Sequence, residues 1–288
     1  MAILVDRDTR LLVQGLTGSE GRFHGLRNRA YGTNLVAGVT PGKDGEEVEG
    51  IPVYGTVAEA VAATGADTSL VFVPARFAPD AVYEALDAGI ATVVCITEHI
   101  PVHDTIRLVA YARSRGAIMI GPNCPGALSP GKANVGIIPA AVFAAGRVGL
   151  VSRSGTLTYQ IGNELAQLGI GNSTIVGIGG DPVIGSTFVD ILERFEADQE
   201  TELVVLVGEI GGDEEEKAAR HVAEHMTKPV LAYIAGFSAP PGKTMGHAGA
   251  IISGSAGTAQ GKKEALEAVG IAVGTTPTEV ARLVAERF

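Results

Sequence analysis

Short apolar runs rich in β-branched residues alternate with segments of helical period along most of the chain, and this alternation limits the possible fold more than any other feature. The segment Ala78–Ala88 places its apolar residues at i, i+3 and i+4, which is typical of a helix that buries one face. Nearly uninterrupted apolar strands separated by such helices predict a parallel sheet covered on both faces. The strands predicted in the first half are Leu11–Gln14, Leu35–Val39, Leu70–Val73, Thr92–Ile96 and Ile118–Ile120.

The alternation stops between residues 121 and 147, where Gly and Pro are frequent, and then a second series begins. The last segment reads as a helix with Thr276 as its N-cap, Pro277 at its first position and Glu279 completing a capping box. We therefore expect an α/β fold with two doubly wound parallel-sheet domains, over residues 1–122 and 148–288, joined by a Gly/Pro-rich connection over residues 123–147. The strands predicted in the second domain are Val148–Val151, Thr174–Gly177, Leu203–Val207 and Val230–Ile234.

Charge and composition exclude several classes of protein. Lys and Arg number 22 and Asp and Glu number 32, which gives a formal net charge of −10 and no basic footprint for nucleic acid. No apolar run approaches the roughly 18 to 20 residues that a membrane-spanning helix needs. The first residues lack a signal sequence, so a cytoplasmic location is expected. Two cysteines, Cys95 and Cys124, are too few for a disulfide framework or a structural zinc site, and no metal site is predicted.

A glycine-rich turn, Gly15–Gly21, follows the first strand and precedes a helix. Its glycines permit close backbone approach, and the helix N-terminus offers N–H groups to a phosphate. The spacing is GxxGxxG rather than the GxGxxG of NAD enzymes. Lys43 stands where an NAD enzyme carries a ribose-binding acid, which favours a phosphorylated ribose or another phosphate. An empty turn and a solvated lysine are the simpler alternatives.

Polar residues also follow two later strands of the first domain. Ile96, Thr97 and Glu98 come at a predicted strand end, where open parallel sheets bind their ligands, although Thr97 is equally suited to cap a helix. The segment Gly121–Gly126 holds Cys124 between two prolines. No His lies near this cysteine in the sequence, so a ligand contact or a small buried side chain is favoured over a catalytic thiol.

The second domain offers an anion site and a reactive histidine. Ser154 and Gly155 begin a helix, and their hydroxyl and amide groups suit an anion or serve as a simple cap. His247 lies between glycines in a long loop from Ala235 to about Ser255, and imidazole is a good nucleophile near neutral pH. Glu209 ends an apolar strand and is a candidate to accept the Nδ1–H of that histidine. An idle surface histidine and a solvated glutamate are the alternatives.

Taken together, these motifs resemble the α subunits of succinate–CoA ligases (succinyl-CoA synthetases), and the resemblance covers essentially the whole chain. Several motifs that occur in this order identify a family more specifically than any single motif does. The segments that carry it are Gly15–Gly21, Thr40–Lys43, Ile96–Glu98, Gly121–Gly126, Val151–Tyr159, Gly177–Pro182, Gly208–Gly212 and Gly246–Ala250.

The resemblance implies a Rossmann-like CoA-binding domain followed by a flavodoxin-like ligase domain. His247 would carry a phosphoryl group between succinyl phosphate and the nucleotide, and Glu209 would hold that histidine. Ser154 and Gly155 would receive the phosphate at their helix N-terminus, and Tyr159 would lie next to the succinate site. The positions implied for CoA binding are Thr17, Gly18, Ser19, Glu20, Lys43, Ile96, Thr97, Glu98, Asn123 and Cys124.

The same resemblance implies a partner. The nucleotide, ATP or GTP with Mg²⁺, would bind an ATP-grasp domain of a β subunit, in an αβ or α2β2 assembly that acts on succinate, CoA and phosphate and contacts neither nucleic acid nor membrane. Two alternatives stay open: a related acid–CoA ligase acting on malate or acetate, and a non-catalytic CoA- or nucleotide-binding module. An NAD dehydrogenase fits less well, because of the glycine spacing.

Overall fold

A computed structural model describes residues 2–240, 242–252 and 257–288. The chain divides into two compact units. The N-terminal unit contains Leu4–Ile138 and Val183–Gly185, and the C-terminal unit contains Pro139–Pro182 and Ser186–Phe288. Within the described residues no helix has the length and apolar character needed to cross a membrane.

The N-terminal unit is built on a parallel sheet in the order β3-β4-β2-β1-β5-β6-β7, in which only the short β3 runs antiparallel to its neighbour. The strand order reverses beside β1, as it does in Rossmann-like sheets, which confirms the predicted class. Its elements are β1 (Arg10–Gln14), α1 (Ser19–Tyr31), β2 (Asn34–Val39), β3 (Glu47–Val48), β4 (Ile51–Tyr54), α2 (Val57–Thr64), β5 (Thr68–Val71), α3 (Ala78–Asp87), β6 (Thr92–Cys95), α4 (Val102–Ser114) and β7 (Ile118–Ile120).

Two further strands lie inside the segment for which the sequence suggested an irregular connection. β8 (Gly126–Ser129) and β9 (Ala133–Gly136) form an antiparallel hairpin. Gly126 has a φ of 95°, and a Cβ there would lie 2.2 Å from the carbonyl oxygen of Val135. The glycines that suggested a loop therefore permit close strand pairing.

The C-terminal unit contains five parallel strands in the order β14-β13-β12-β10-β11. Numbered along the unit, this is the flavodoxin-like order 2-1-3-4-5 read from the other edge, as expected. Its elements are a 3-10 turn (Ala140–Val142), β10 (Ala145–Ser152), α5 (Gly155–Gln167), β11 (Asn172–Gly177), α6 (Phe188–Ala197), β12 (Leu203–Glu209), α7 (Glu214–His225), β13 (Val230–Ala235), α8 (Ala259–Glu267), β14 (Ala272–Gly274) and α9 (Pro277–Ala285).

Helix α6 shows how the covering helices are held on this sheet. Phe188 and Phe195, at the two ends of one face of the helix, are fully buried. The ring of Phe195 lies on Gly149 of β10, where a Cβ would be 2.6 Å from the ring. The absence of a side chain at position 149 therefore lets α6 approach the strand closely, which buries about 150–250 Å² of aromatic surface per ring.

Two local expectations need correction. The sequence pattern missed the helices α2 and α8 and the strands β3, β4 and β14, and each of these strands is too short to show a period. At α9, the amide of Glu279 donates to Oγ1 of Thr276 at 3.1 Å, as predicted. However, the carboxylate of Glu279 accepts from the amide of Thr275 at 2.7 Å, so the reciprocal bond of the predicted capping box is made one residue earlier.

Candidate functional site

A cavity of about 890 Å³ opens in the N-terminal unit at the carboxyl ends of β1 and β5. This is where the strand order reverses, the usual ligand position in open parallel sheets. It is lined by Gln14, Gly15, Thr17, Gly18, Ser19, Glu20, Gly21, Val39, Thr40, Pro41, Phe72, Val73, Pro74, Phe77, Asp80, Ala81, Glu84, Ile96 and Thr97.

The glycine-rich turn shapes one wall of this cavity. The amide of Gly15 donates to the carbonyl of Val39 at 2.8 Å, which ties the turn to the neighbouring strand. A Cβ on Gly21 would lie 2.2 Å from the carbonyl oxygen of Gly15, so only glycine permits this approach. Gly18 is the N-cap of α1 and supplies no side-chain cap. The first-turn amides of α1 therefore face the cavity edge with the geometry of an anion site.

The structure brings six of the predicted CoA-contact residues together around this cavity. Oγ1 of Thr17 donates to Oγ1 of Thr40 at 3.1 Å, and Oγ1 of Thr97 donates to the carbonyl of Val73 at 2.7 Å, so both hydroxyls are fixed. The first bond joins the turn after β1 to the end of β2, and the second joins the ends of β6 and β5. The six are Thr17, Gly18, Ser19, Glu20, Ile96 and Thr97.

The other four predicted contacts lie outside the cavity lining. Lys43 is exposed, and its Nζ lies 2.8 Å from Oε1 of Glu46. Nδ2 of Asn123 donates to Oε1 of Glu98 at 3.4 Å. Cys124 is buried, and its Sγ lies 3.2 Å from the carbonyl oxygen of Cys95. Their roles toward CoA stay predictions.

Sequence reasoning missed the aromatic wall of the cavity. Phe72 and Phe77 both line it, and Phe77 is 49% exposed. The imidazole of His24 stacks on Phe72 with ring centroids 5.6 Å apart, and burial lowers the pKa of His24. The guanidinium of Arg76 lies over the ring of Phe77 at 4.4 Å. Aromatic residues directly after a strand at the reversal point were the available signal.

In the C-terminal unit the strand order reverses between β10 and β12, where polar side chains converge. Ser152 ends β10 and pairs with Val207 of β12, which continues to Glu209. Arg153 follows Ser152, so its side chain and that of Glu209 leave neighbouring strands at the same edge. This is again the expected ligand position of a doubly wound sheet.

His247 and Glu209, predicted as a pair from the sequence, are in contact. Nδ1 of His247 lies 2.9 Å from Oε2 and 3.1 Å from Oε1 of Glu209. An ionised carboxylate only accepts hydrogen bonds, so Nδ1 carries the proton and Nε2 of the neutral ring keeps its lone pair. The Glu209 side chain is 7% exposed and that of His247 is 27% exposed. The arrangement can orient a nucleophilic imidazole and stabilise its positive charge.

Arg153 also lies beside Glu209 and was not singled out from the sequence. Its Nε is 3.5 Å from Oε1 of Glu209, and its side chain is buried. Its Nη2 donates to the carbonyl of Asp181 at 3.3 Å. The available signal was a charged residue enclosed between two serines at the end of a buried strand.

A buried ion pair supports the backbone of Glu209 and was also missed. The amide of Glu209 donates to Oε1 of Glu215 at 3.1 Å. Glu215 is paired with Lys262, and both side chains are fully buried. Nζ of Lys262 also lies 3.2 Å from Oε2 of Glu216 and donates to the carbonyl of Gly212 at 3.2 Å. Burial raises the pKa of Glu215, against the opposing effect of Lys262.

The segment that carries His247 fits closely against Gly180. The amide of Gly249 donates to the carbonyl of Gly180 at 3.0 Å, and the amide of Ala250 donates to the carbonyl of His247 at 3.1 Å. These bonds fix the backbone that follows His247. The predicted end of this loop, Ser255, lies outside the described residues.

Ser154 and Gly155 begin α5, as predicted. Ser154 is the N-cap, and its Oγ accepts from the amide of Leu157 at 3.4 Å. Tyr159, on the same helix, meets the ring of Phe143 edge to face with centroids 6.4 Å apart. The cap bond is long, and the anion role of this helix end stays a prediction. Within residues 2–240, 242–252 and 257–288, no three or more His, Cys, Asp or Glu side chains are grouped to hold a metal ion.

Two family models match the chain, one in each unit. The model described as CoA binding domain matches residues 6–99, and the model described as CoA-ligase matches residues 151–272. The first range contains the cavity residues, and the second contains Arg153, Glu209 and His247.

Relatives of high identity share the full length of the chain. A succinate–CoA ligase [ADP-forming] subunit alpha 2 of Archaeoglobus fulgidus is 60% identical over 99% of both chains. A succinate–CoA ligase [ADP-forming] subunit alpha of Aquifex aeolicus is 57% identical over 99% of this chain and 94% of that one. Among solved structures, ATP citrate lyase of Methanosaeta concilii in complex with (3S)-citryl-CoA superposes with a TM-score of 0.91 at 27% identity. The match covers 99% of this chain but 51% of the lyase chain.

Proposed function

The chain belongs to the family of succinate–CoA ligase α subunits, which makes it a CoA-handling ligase subunit, and from this premise we propose that His247 carries the phosphoryl group of an ADP-forming succinate–CoA ligase. The observation that carries the proposal is the contact of Nδ1 of His247 with the buried carboxylate of Glu209. The GDP-forming alternative is less favoured, because the relatives of 57–60% identity are named ADP-forming.

CoA occupies the cavity of the N-terminal unit in this proposal. The volume of about 890 Å³ is that of a typical ligand site, and the first turn of α1 supports binding of the phosphates. Thr17, Ser19 and Thr97 supply hydroxyls on the rim. The apolar wall at Phe72 and Phe77 suits the less polar parts of the molecule.

The chemistry assigned to His247 requires one free ring nitrogen. Nε2 attacks the γ-phosphorus of ATP, and the bond from phosphorus to the ADP oxygen breaks. A carboxylate oxygen of succinate then attacks phosphorus, which breaks the P–N bond and gives succinyl phosphate. The CoA thiolate attacks the acyl carbon, and phosphate leaves as succinyl-CoA forms. Glu209 supports the first two steps because its charge stabilises the ring while it is positively charged.

The remaining site residues support this cycle. Ser154 and Gly155 would place the N-terminus of α5 against the transferred phosphate, and Tyr159 would adjoin succinate. As a member of an α-subunit family the chain works with a partner subunit. We assign to that β subunit an ATP-grasp domain that holds the nucleotide with its Mg²⁺, in an αβ or α2β2 assembly. A cytoplasmic location stays a prediction.

Mass spectrometry at neutral to alkaline pH tests the proposal, since phosphohistidine is acid-labile. The protein is expressed with its partner subunit and incubated with ATP and Mg²⁺. One added phosphate should map to the His247 peptide and disappear when succinate and CoA are added. His247→Asn should abolish this signal with CoA affinity kept, whereas the surface control His225→Asn should behave as wild type. An unphosphorylated His247 in a complex that binds CoA would contradict the proposal.

A further inference from the structure

We propose that Arg153 is a positioning residue for His247 and acts through the carboxylate of Glu209, an inference that rests on the proposed role of the histidine. Arg153 lies beside the same carboxylate of Glu209 that His247 contacts. Its Nε lies 3.5 Å from Oε1, and its Nη2 is anchored on the carbonyl of Asp181. The guanidinium is therefore held in place and keeps a buried positive charge beside the carboxylate.

Burial makes the charge of Arg153 matter to Glu209. The two side chains are 4% and 7% exposed, so little water screens their interaction. An isolated buried carboxylate takes up a proton, whereas a neighbouring cation keeps it ionised. A protonated Glu209 would donate to Nδ1 of His247 and move the ring proton to Nε2, which blocks the nucleophilic nitrogen.

The other charged groups near Glu209 cannot replace Arg153. Glu215 faces the backbone of Glu209 from α7 and adds a second negative charge. Lys262 of α8 is directed at Glu215 and at Glu216, which is 25% exposed. His247 approaches from the loop and must stay neutral to react. Among the described contacts of the Glu209 carboxylate, Arg153 is thus the permanent cation.

A glycine in the His247 loop leaves space for this guanidinium. A Cβ on Gly249 would lie 2.7 Å from Nη2 of Arg153 and 2.8 Å from the carbonyl oxygen of Gly180. Glycine at position 249 therefore leaves space for an arginine fork that reaches Glu209 and Asp181 together. A lysine has one nitrogen and cannot make both contacts in this geometry.

The test compares Arg153→Met and Arg153→Lys in the complex with the partner subunit. The matched control is Arg147→Met, which removes an exposed arginine of β10 that pairs with Glu202 at 2.8 Å. NMR of ¹³C-labelled glutamate carboxyls follows the titration of Glu209, and ¹⁵N NMR reports the tautomer of His247. Rates of His247 phosphorylation are measured from pH 6 to 8.

Arg153→Met should leave a larger share of Glu209 protonated at pH 6 than in wild type and shift the neutral ring of His247 toward the Nε2–H tautomer. Phosphorylation should slow by about 10- to 100-fold at pH 6, with a smaller loss at pH 8, because fewer carboxyl groups are protonated at the higher pH. Arg153→Lys should keep the Glu209 titration near that of wild type and restore part of the rate. Arg147→Met should change nothing.

A purely structural role would lower the rate equally at every pH, and that result would overturn the inference. A Glu209 titration and a His247 tautomer unchanged in Arg153→Met would do so as well. If the Met variant does not fold, wild-type values in every readout of Arg153→Lys overturn it, because that variant has lost the anchor on Asp181. The NMR readouts need no phosphorylation, so failure of the proposed function is recognised separately, by an unphosphorylated His247 in wild type.

Discussion

The imidazole of His247 packs directly against Gly180. A Cβ on Gly180 would lie 2.3 Å from Cγ and 2.4 Å from Nδ1 of His247. The ring thus occupies the volume that any side chain at position 180 would need. Together with Glu209, this contact positions the imidazole with Nδ1 directed at the carboxylate.

Gly180→Ala should therefore displace His247 and reduce its phosphorylation by more than about tenfold, because a ring moved by 1 Å loses its alignment. CoA affinity should be unchanged, since the cavity lies in the other unit. Phosphorylation by ATP and calorimetry with CoA measure the two effects. Gly55→Ala is the control, because its nearest contact would be an ordinary 3.5 Å to Oε2 of Glu59. Equal rates in both variants would refute the steric argument.

Lys43→Ala addresses a predicted contact that lies outside the cavity lining. If Nζ of Lys43 leaves Glu46 to meet the ribose phosphate, the substitution should weaken CoA by about tenfold, the usual effect of losing one charge-assisted bond. Dephospho-CoA should bind with unchanged affinity, and titration calorimetry compares the two ligands. Equal weakening of both would assign Lys43 to the pyrophosphate. Lys217→Ala, a surface lysine paired with Glu214, serves as control.

Lys262→Met should destabilise the C-terminal unit by about 3–5 kcal/mol, because it leaves the carboxylate of Glu215 buried without its cation. Glu215→Gln combined with Lys262→Met removes both charges and should cost less than Lys262→Met alone. Urea denaturation of Lys262→Met, of Glu215→Gln alone and of the double variant measures the coupling. Additive losses would mean that the pair does not interact energetically.

The pH dependence of stability should report on His24. Burial lowers the pKa of His24 below its ordinary 6.5, so the unfolded chain binds its proton more readily than the folded one. The contribution of His24 to the free energy of unfolding therefore has its full value above pH 6.5, and it is lost as the pH falls toward the folded-state pKa. His24→Gln removes this loss. As the pH is lowered from 7.5 to 5.5, the free energy of unfolding of the variant should rise relative to that of wild type. Urea denaturation at each pH measures this difference. A difference in the free energy of unfolding that does not change with pH would contradict this prediction.

The sequence could predict the architecture because the signals involved are local. Long apolar strands and helical periods are properties of neighbouring residues, and they indicated two doubly wound sheets. Short elements escaped prediction: β3 has two residues, and the hairpin of β8 and β9 lies in a stretch whose glycines read as a loop. The capping box at Glu279 was also predicted incorrectly, because its carboxylate accepts from the amide of Thr275 rather than from that of the N-cap residue.

Motif order also identified the family, and it named His247 and Glu209 although 37 residues separate them. The tertiary structure alone decided what surrounds that pair. Arg153 follows β10, Glu215 lies on α7 and Lys262 on α8, and only the folded chain brings the three near the end of β12. No local pattern reports such contacts, because the Coulomb energy of a buried charge depends on distance and on exclusion of water, and both are set only when the chain is folded.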